Sequence, residues 1–330
     1  MDKLLDAAAP SRRASREAVS WYSLRTIVQL FPRVVRSVLN EGLTTTLRTL
    51  LRASPILLHL GGHARLTRLL TRPQMIGLLQ RHPRLNYRYL GTYLSHDFDR
   101  RTRLKILLNH YGFLAGRVQT DFFVRIFDEK PLLWRERRGE DQFSIGLTFP
   151  AVGDHEGDLC LFFAVNAVPV YRLAFSIVPG PIVRIASDQV LFVGCVQGGT
   201  GCFDLIRHAT RSCQDITPAS LLLAAAQGIA RSLGIEWMVG VGREQSVSRS
   251  HCREADSFFN FDAFWKSCGA EETRNNLFVL PLPFPEKPIQ LIAADHRRRT
   301  LRKRAYKRQV AQQVLACFKE ERLQAQSGAG

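Results

Sequence analysis

Between Leu191 and Gly242 two apolar runs alternate with helical segments, and that alternation narrows the folds open to the chain. LFVGCVQGG ends in glycines, GCFDLIRHATRSC is short and amphipathic, TPASLLLAAAQGIARSLGI is a long helix with a broad apolar face, and EWMVGVG is a second apolar run. A strand, a helical connection of this length and another strand make a crossover, which requires a parallel pair within the sheet. Such units place functional groups where strands end and helices begin.

The flanking sequence supplies the rest of the sheet. FFVRIF (122–127) and FSIGLTF (143–149) read as short strands separated by the charged turn WRERRGED. LCLFFAVN (159–166) and YRLAFSIV (171–178) read as a hairpin with Pro169 near its turn. Pro179-Gly180-Pro181 stops the second strand, and IVRIAS (182–187) reads as a third. FFNFDAFWKSCGA (258–270) is helical with its aromatics at core spacing, and LFVLPLPFP (277–285) is a last strand broken by proline. The class is α+β: a basic N-terminal helical region, then a mixed sheet with crossover helices. The expected parts are a Ser/Arg/Ala-rich tail (1–20), a basic helical region (21–118), an α+β core (119–290) and a basic C-terminal helix with a frayed end (291–330).

Charge is partitioned along the chain. Residues 1–120 hold 20 Lys and Arg against 6 Asp and Glu, residues 121–286 hold 15 against 20, and residues 287–330 hold 11 against 3. A near-neutral centre between two basic ends points to a polyanionic partner, either an anionic membrane surface or an acidic protein, with nucleic acid ranked second. Two segments carry the charge. Over residues 22–52 apolar residues recur at three- and four-residue steps opposite Arg25, Arg33, Arg36, Arg48 and Arg52, which suits a helix lying in a lipid interface or an ordinary core-packing pair. In HRRRTLRKRAYKR, Arg297, Arg298, Arg299, Arg302, Lys303, Arg304, Lys307 and Arg308 stand within thirteen residues without an acid. So many cations need paired acids to enter a core, so they face water or a polyanion.

Seven cysteines, odd in number and without a CxxC pair, read as small buried hydrophobes of a reducing compartment. No apolar run approaches a spanning length, and residues 1–20 are too polar for a secretory signal, so the expected location is cytoplasmic, with peripheral contact to the inner membrane.

Seven strings in order, HPRLNYRYL, RLKILLNHYGFL, YRLAFSIV, LFVGCVQGG, DLIRHATR, FDAFWKSCGA and HRRRTLRKRAYKRQ, together resemble the VirK/YbjX family of bacterial proteins from about residue 45 to 318. That resemblance implies an accessory role in envelope stress, resistance to antimicrobial peptides or virulence. Where relatives often carry a Ser-Asn-x-x-His stretch, this chain has VGREQS: Ser246 stands at the histidine position, Arg249 keeps its place and His251 follows five residues further on. If that histidine is catalytic in relatives, this chain uses His251 or lacks the activity.

The element order is also similar to that of the GNAT-type acyltransferases, in which a strand end and a helix N-terminus cradle the pyrophosphate of an acyl thioester. The resemblance places the cradle at Gln197, Gly198, Gly199, Thr200 and Gly201, with acyl-CoA or an acyl-carrier protein as the implied donor. Thr200 occupies a position where that loop wants glycine, so the same residues also read as a simple strand-to-helix turn. Candidate bases are Glu236, at the mouth of the second parallel strand, and His251. His208 reads as surface, and the nine histidines and seven cysteines lack the spacing of a metal site.

Overall fold

The computed structural model describes residues 56, 58–150, 155–247 and 260–323. The expected tail over 1–20, the basic helices over 22–52 and His251 lie outside them. Two compact units divide at Arg72 and Pro73. In the first, the described helix α1 (Leu60–Leu70) buries His63, Ala64, Leu66, Leu69 and Leu70, the three- and four-residue spacing of a core-facing stripe.

The second unit is built on one eight-stranded sheet in the order β1-β2-β3-β4-β5-β6-β8-β7. Its elements are α2 (Pro73–Arg81), a 3-10 helix (Pro83–Leu90), α3 (Arg100–Ala115), α4 (Phe122–Asp128), β1 (Leu132–Arg138), β2 (Asp141–Thr148), β3 (Leu159–Val165), β4 (Val168–Pro179) and β5 (Gln189–Gly198). There follow α5 (Phe203–Ser212), α6 (Pro218–Ser232), β6 (Trp237–Val241), α7 (Phe261–Ser267), β7 (Glu271–Glu272), β8 (Leu277–Pro281) and α8 (Ala294–Leu323). The fold is α+β, and β5 and β6 are the expected parallel pair, joined through α5 and α6. All other neighbouring strands are antiparallel.

Helix α6 starts where the sequence places a start: Thr217 caps it by accepting from the Ser220 N–H at 3.3 Å, and Pro218 occupies the first turn. It is buried nearly all round because one side lies on the sheet and the other under α8. A Cβ at Gly228 would come within 2.4 Å of the Ala311 carbonyl oxygen, so only glycine admits α8 this closely. On the opposite face of the sheet α3 crosses β4, with the Asn109 side chain donating to the Ile177 carbonyl at 3.1 Å.

Three expected elements differ. FFVRIF is helix α4, because Phe122, Phe123 and Ile126 recur at helical spacing and all three are buried. WRERR, expected in a turn, forms the last five residues of edge strand β1, where charges on the water side suit an unpaired edge; the turn itself is Gly139-Glu140, with Gly139 at φ +62°. IVRIAS is a 3-10 turn (Gly180–Val183) ending at Arg184 in the left-handed region, φ 60°, so it adds no strand.

Candidate functional site

Helix α8 packs its buried residues Tyr306, Val310, Ala311, Val314 and Phe318 inward at three- and four-residue intervals, which turns most of its cations outward. Arg297, Arg298, Arg299, Arg302, Lys307 and Arg308 are exposed. Lys303 and Arg304 are half-buried: Lys303 Nζ donates to the Asp215 carbonyl at 2.6 Å, and Arg304 lies 3.5 Å from Glu286. Arg299 pairs with Asp215 at 2.9 Å. Among the described residues Arg298, Arg302, Lys307 and Arg308 make no ion pair with a carboxylate, so the helix presents net positive charge to solvent.

The parallel pair is short. Only Leu191 to Val193 align with Met238 to Gly240, after which β5 follows β4 alone as far as Gly198. The strands part at a β-bulge: Phe175 pairs with Val193 and Ala174 with Cys195, leaving Gly194 as the surplus residue. A Cβ at Gly194 would lie 2.2 Å from the Glu156 carbonyl oxygen and 3.3 Å from Leu94, so this glycine accommodates a segment pressed against the strand. Over the parting, Ser95 Oγ donates to Gln245 Oε1 at 3.0 Å and the His96 N–H to the Gln245 carbonyl at 3.1 Å, covering that side.

The glycine-bearing end opens elsewhere. Gln197, Gly198, Gly199 and Thr200 line a cavity of about 790 Å³ over β2, β3 and β4, while Gly201, at φ +73°, turns the chain into α5. At this end Arg172 Nη2 donates to Gln197 Oε1 at 3.0 Å and lies 2.9 Å from Glu156 Oε2. Cys160 lines the same cavity and Cys195 lies beside Gln197; burial pushes the Cys160 thiol to about 12 and the Cys195 thiol well above its ordinary value, so both are protonated and non-nucleophilic at neutral pH.

Glu236 is exposed just before β6 begins. From the register it sits about eight residues short of Gln197 along the parallel direction, roughly 26 Å at about 3.3 Å per residue, so the structure does not bring these candidates together. Ser246 is buried, with its hydroxyl making no hydrogen bond among the described residues. His208 is exposed on α5 and meets Asp141 at 2.8 Å.

A second cluster is wholly buried. Asp158 Oδ1 accepts from Arg88 at 2.6 Å and from the Tyr111 hydroxyl at 2.8 Å; Oδ2 accepts from Tyr93 and, at 2.7 Å, from Ser176. Next to it His110 Nδ1 accepts the Ile177 N–H at 3.0 Å, while its Nε2 makes no hydrogen bond among the described residues. Burial of Asp158 works to raise its pKa; the positive charge on protonated His110, then Arg88 and the hydroxyls, overcome that, leaving the carboxyl below its ordinary value.

The family model described as "Protein of unknown function (DUF535)" matches residues 44–315. The chain belongs to the DUF535 family. This is the VirK/YbjX family, and similar curated proteins include "Uncharacterized protein YbjX" of Escherichia coli (strain K12), 27% identical over 239 residues, which are 69% of this chain and 71% of that protein. "Membrane protein LapB" of Mannheimia haemolytica is 22% identical over 187 residues, 55% of this chain and 76% of that protein.

Several strings that carry the DUF535 resemblance, far apart in sequence, meet at Asp158. HPRLNYRYL brings Arg88, RLKILLNHYGFL brings His110 and Tyr111, and YRLAFSIV brings both Ser176 here and Arg172 at the cavity. Sequence reasoning missed Arg88, Asp158 and Arg172 as a set. The available signal was a charged residue inside an apolar or aromatic string, which seldom enters a core unpaired.

Proposed function

We propose that this DUF535 protein works at an anionic surface in the bacterial envelope, docking through the exposed cations of α8, and that it serves envelope stress, antimicrobial-peptide resistance or virulence from the cytoplasmic face of the inner membrane. One observation carries the reading: α8 is pinned to the core by its apolar stripe, yet leaves Arg298, Arg302, Lys307 and Arg308 without an ion pair among the described residues. The term "membrane protein" in the name of one relative supports it. Among the described residues no helix is long and apolar enough to cross a membrane, so attachment by this route is peripheral. Flotation with phosphatidylglycerol-containing vesicles tests it: the protein rises with anionic vesicles at low salt, stays down with neutral ones, and is released by salt. Failure to float at low salt removes the reading.

A second reading, a GNAT-like acyltransferase taking acyl-CoA or an acyl-carrier protein, is favoured by the strand order. The parallel pair parts at a bulge, β8 inserts between β6 and β7, and the glycine-bearing end of β5 faces a cavity before a helix begins. A thermal shift with either donor supports it, and flat curves with both count against it.

A further inference from the structure

The sheet has one fully packed face and one half-open face. On the packed side α6 and α8 cover the strands; on the other, the 3-10 helix and α3 cover the region around Asp158 and Ser176, leaving the cavity of about 790 Å³ over the upper parts of β2, β3 and β4 and the end of β5. Its volume lies within the range of small-molecule sites, about 300–1,000 Å³.

The lining is polarised along its length. At the β2 end it is aromatic, with Phe127 and Phe149; Phe162 of β3 and Val170 of β4 continue the apolar floor. At the β5 end it turns polar at Arg172, Gln197 and Thr200. From β2 to β5 is three interstrand steps of about 4.8 Å, a span of roughly 14 Å. Burial of the ion pair at the polar end is asymmetric: the Glu156 side chain is 2% exposed and that of Arg172 29%. A ligand reaching this end therefore meets the guanidinium, with the carboxylate sealed behind it.

The chain beside the opening is also apolar. Val168, the first residue of β4 and next to the lining residue Ala167, is 49% exposed, and Phe203, three residues beyond Thr200, is 66% exposed. The Arg207 guanidinium lies 4.6 Å over the Phe203 ring, and Lys130 joins the lining near the aromatic end. Exposed large apolar side chains beside cations suit contact with a lipid interface.

We infer that this groove binds a single long acyl chain ending in an anionic group, the chain lying across β4 and β3 toward Phe127 and Phe149 and the head resting at Arg172 and Thr200. The site stands whether or not transfer follows. If acyl transfer occurs, the groove selects a long acyl group, since a short one leaves the aromatic end empty.

Calorimetric titration of the full chain with dodecanoate, below its micellar concentration, tests the inference. Saturable one-to-one binding is expected, with hexanoate at least about a hundredfold weaker because it buries fewer methylenes. Dodecyltrimethylammonium, with the same chain and the opposite charge, is expected to bind at least about tenfold more weakly. Thr148→Trp fills the aromatic end and lowers dodecanoate affinity at least about tenfold with an unchanged circular-dichroism melt. Should that variant fail to fold, photolabelling of the wild-type chain with a diazirine-bearing fatty acid decides. Labels on peptides containing Phe127, Phe149 or Phe162 support the site. Labels confined to α8 or to other surfaces, absence of dodecanoate binding, or equal affinity for the cationic amphiphile would overturn it.

Discussion

Arg88 reaches Asp158 at 2.6 Å with both side chains sealed from water, and it does so across 70 residues of sequence. The pair ties the 3-10 helix (Pro83–Leu90) to the start of β3, and Tyr93, Tyr111 and Ser176 complete the carboxylate's coordination. A buried charge with this many donors is costly to disturb, because removing one partner strands the other in a low-dielectric core. Arg88→Ala should therefore lower unfolding free energy by about 3–5 kcal/mol. Tyr111→Phe, which removes a single donor, should lower it by about 1–3 kcal/mol. Urea denaturation followed by tryptophan fluorescence measures both, and equal small losses would show that the cluster contributes little.

The same cluster sets a pH dependence. Burial holds His110 below its ordinary value of 6.5, so unfolding at lower pH takes up a proton on this ring. Its contribution is complete above that value and declines as pH falls through it toward the folded-state pKa. Asp158, held below the ordinary carboxylate range, loses its contribution further down, as pH falls through its own folded-state pKa. His110→Asn keeps an acceptor for the Ile177 N–H but cannot titrate, so the upper decline should shrink in a plot of stability against pH to the part set by His63, which burial also holds below its ordinary value. An unchanged plot would assign the decline to other groups.

Close approach of α6 and α8 predicts a sharp steric effect. Gly228→Val drives a side chain into the Ala311 backbone and should cost about 2–3 kcal/mol, with faster amide exchange along α8. Gly116→Ala, at a position with open space around it, should stay within about 0.5 kcal/mol of wild type.

Neutralising α8 separates binding from folding. The quadruple variant Arg298→Gln, Arg302→Gln, Lys307→Gln and Arg308→Gln should lose on the order of 4 kcal/mol of affinity for anionic vesicles, roughly a thousandfold, at about 1 kcal/mol per cation. Its melting temperature should hold, since all four side chains are exposed. Retained flotation would move the docking surface elsewhere.

Glu236 gives a negative control. Exposed, and roughly 26 Å from the glycine-bearing strand end, it should tolerate Glu236→Gln within about 0.5 kcal/mol, and the change should leave any thermal shift by acyl-CoA intact.

The crossover from Leu191 to Gly242 was legible because its strands and helices are long and strongly patterned, and β5, α6 and β6 fall where the pattern puts them. The hairpin of β3 and β4 was legible for the same reason. FFVRIF was not: six mostly apolar residues suit a buried strand and a short helix equally, and only packing decides. The α8 cations were visible as a run, but which of them turn inward depends on the phase set by Tyr306 and Val310. Arg172 and Asp158 showed only as charges in or beside apolar strings; which partners they take depends on pairing between separate segments, which leaves no local periodicity.

One surplus glycine sets the phase of the end of β5. Because the bulge takes up Gly194, β5 keeps step with β4 on one flank while running out of step with β6 on the other. Excising that single residue would restore an even ladder with β4 and set Cys195 opposite Val241, the last residue of β6. Everything assembled around the loose end of β5 thus depends on one residue too many, at a place where only a residue without a side chain fits.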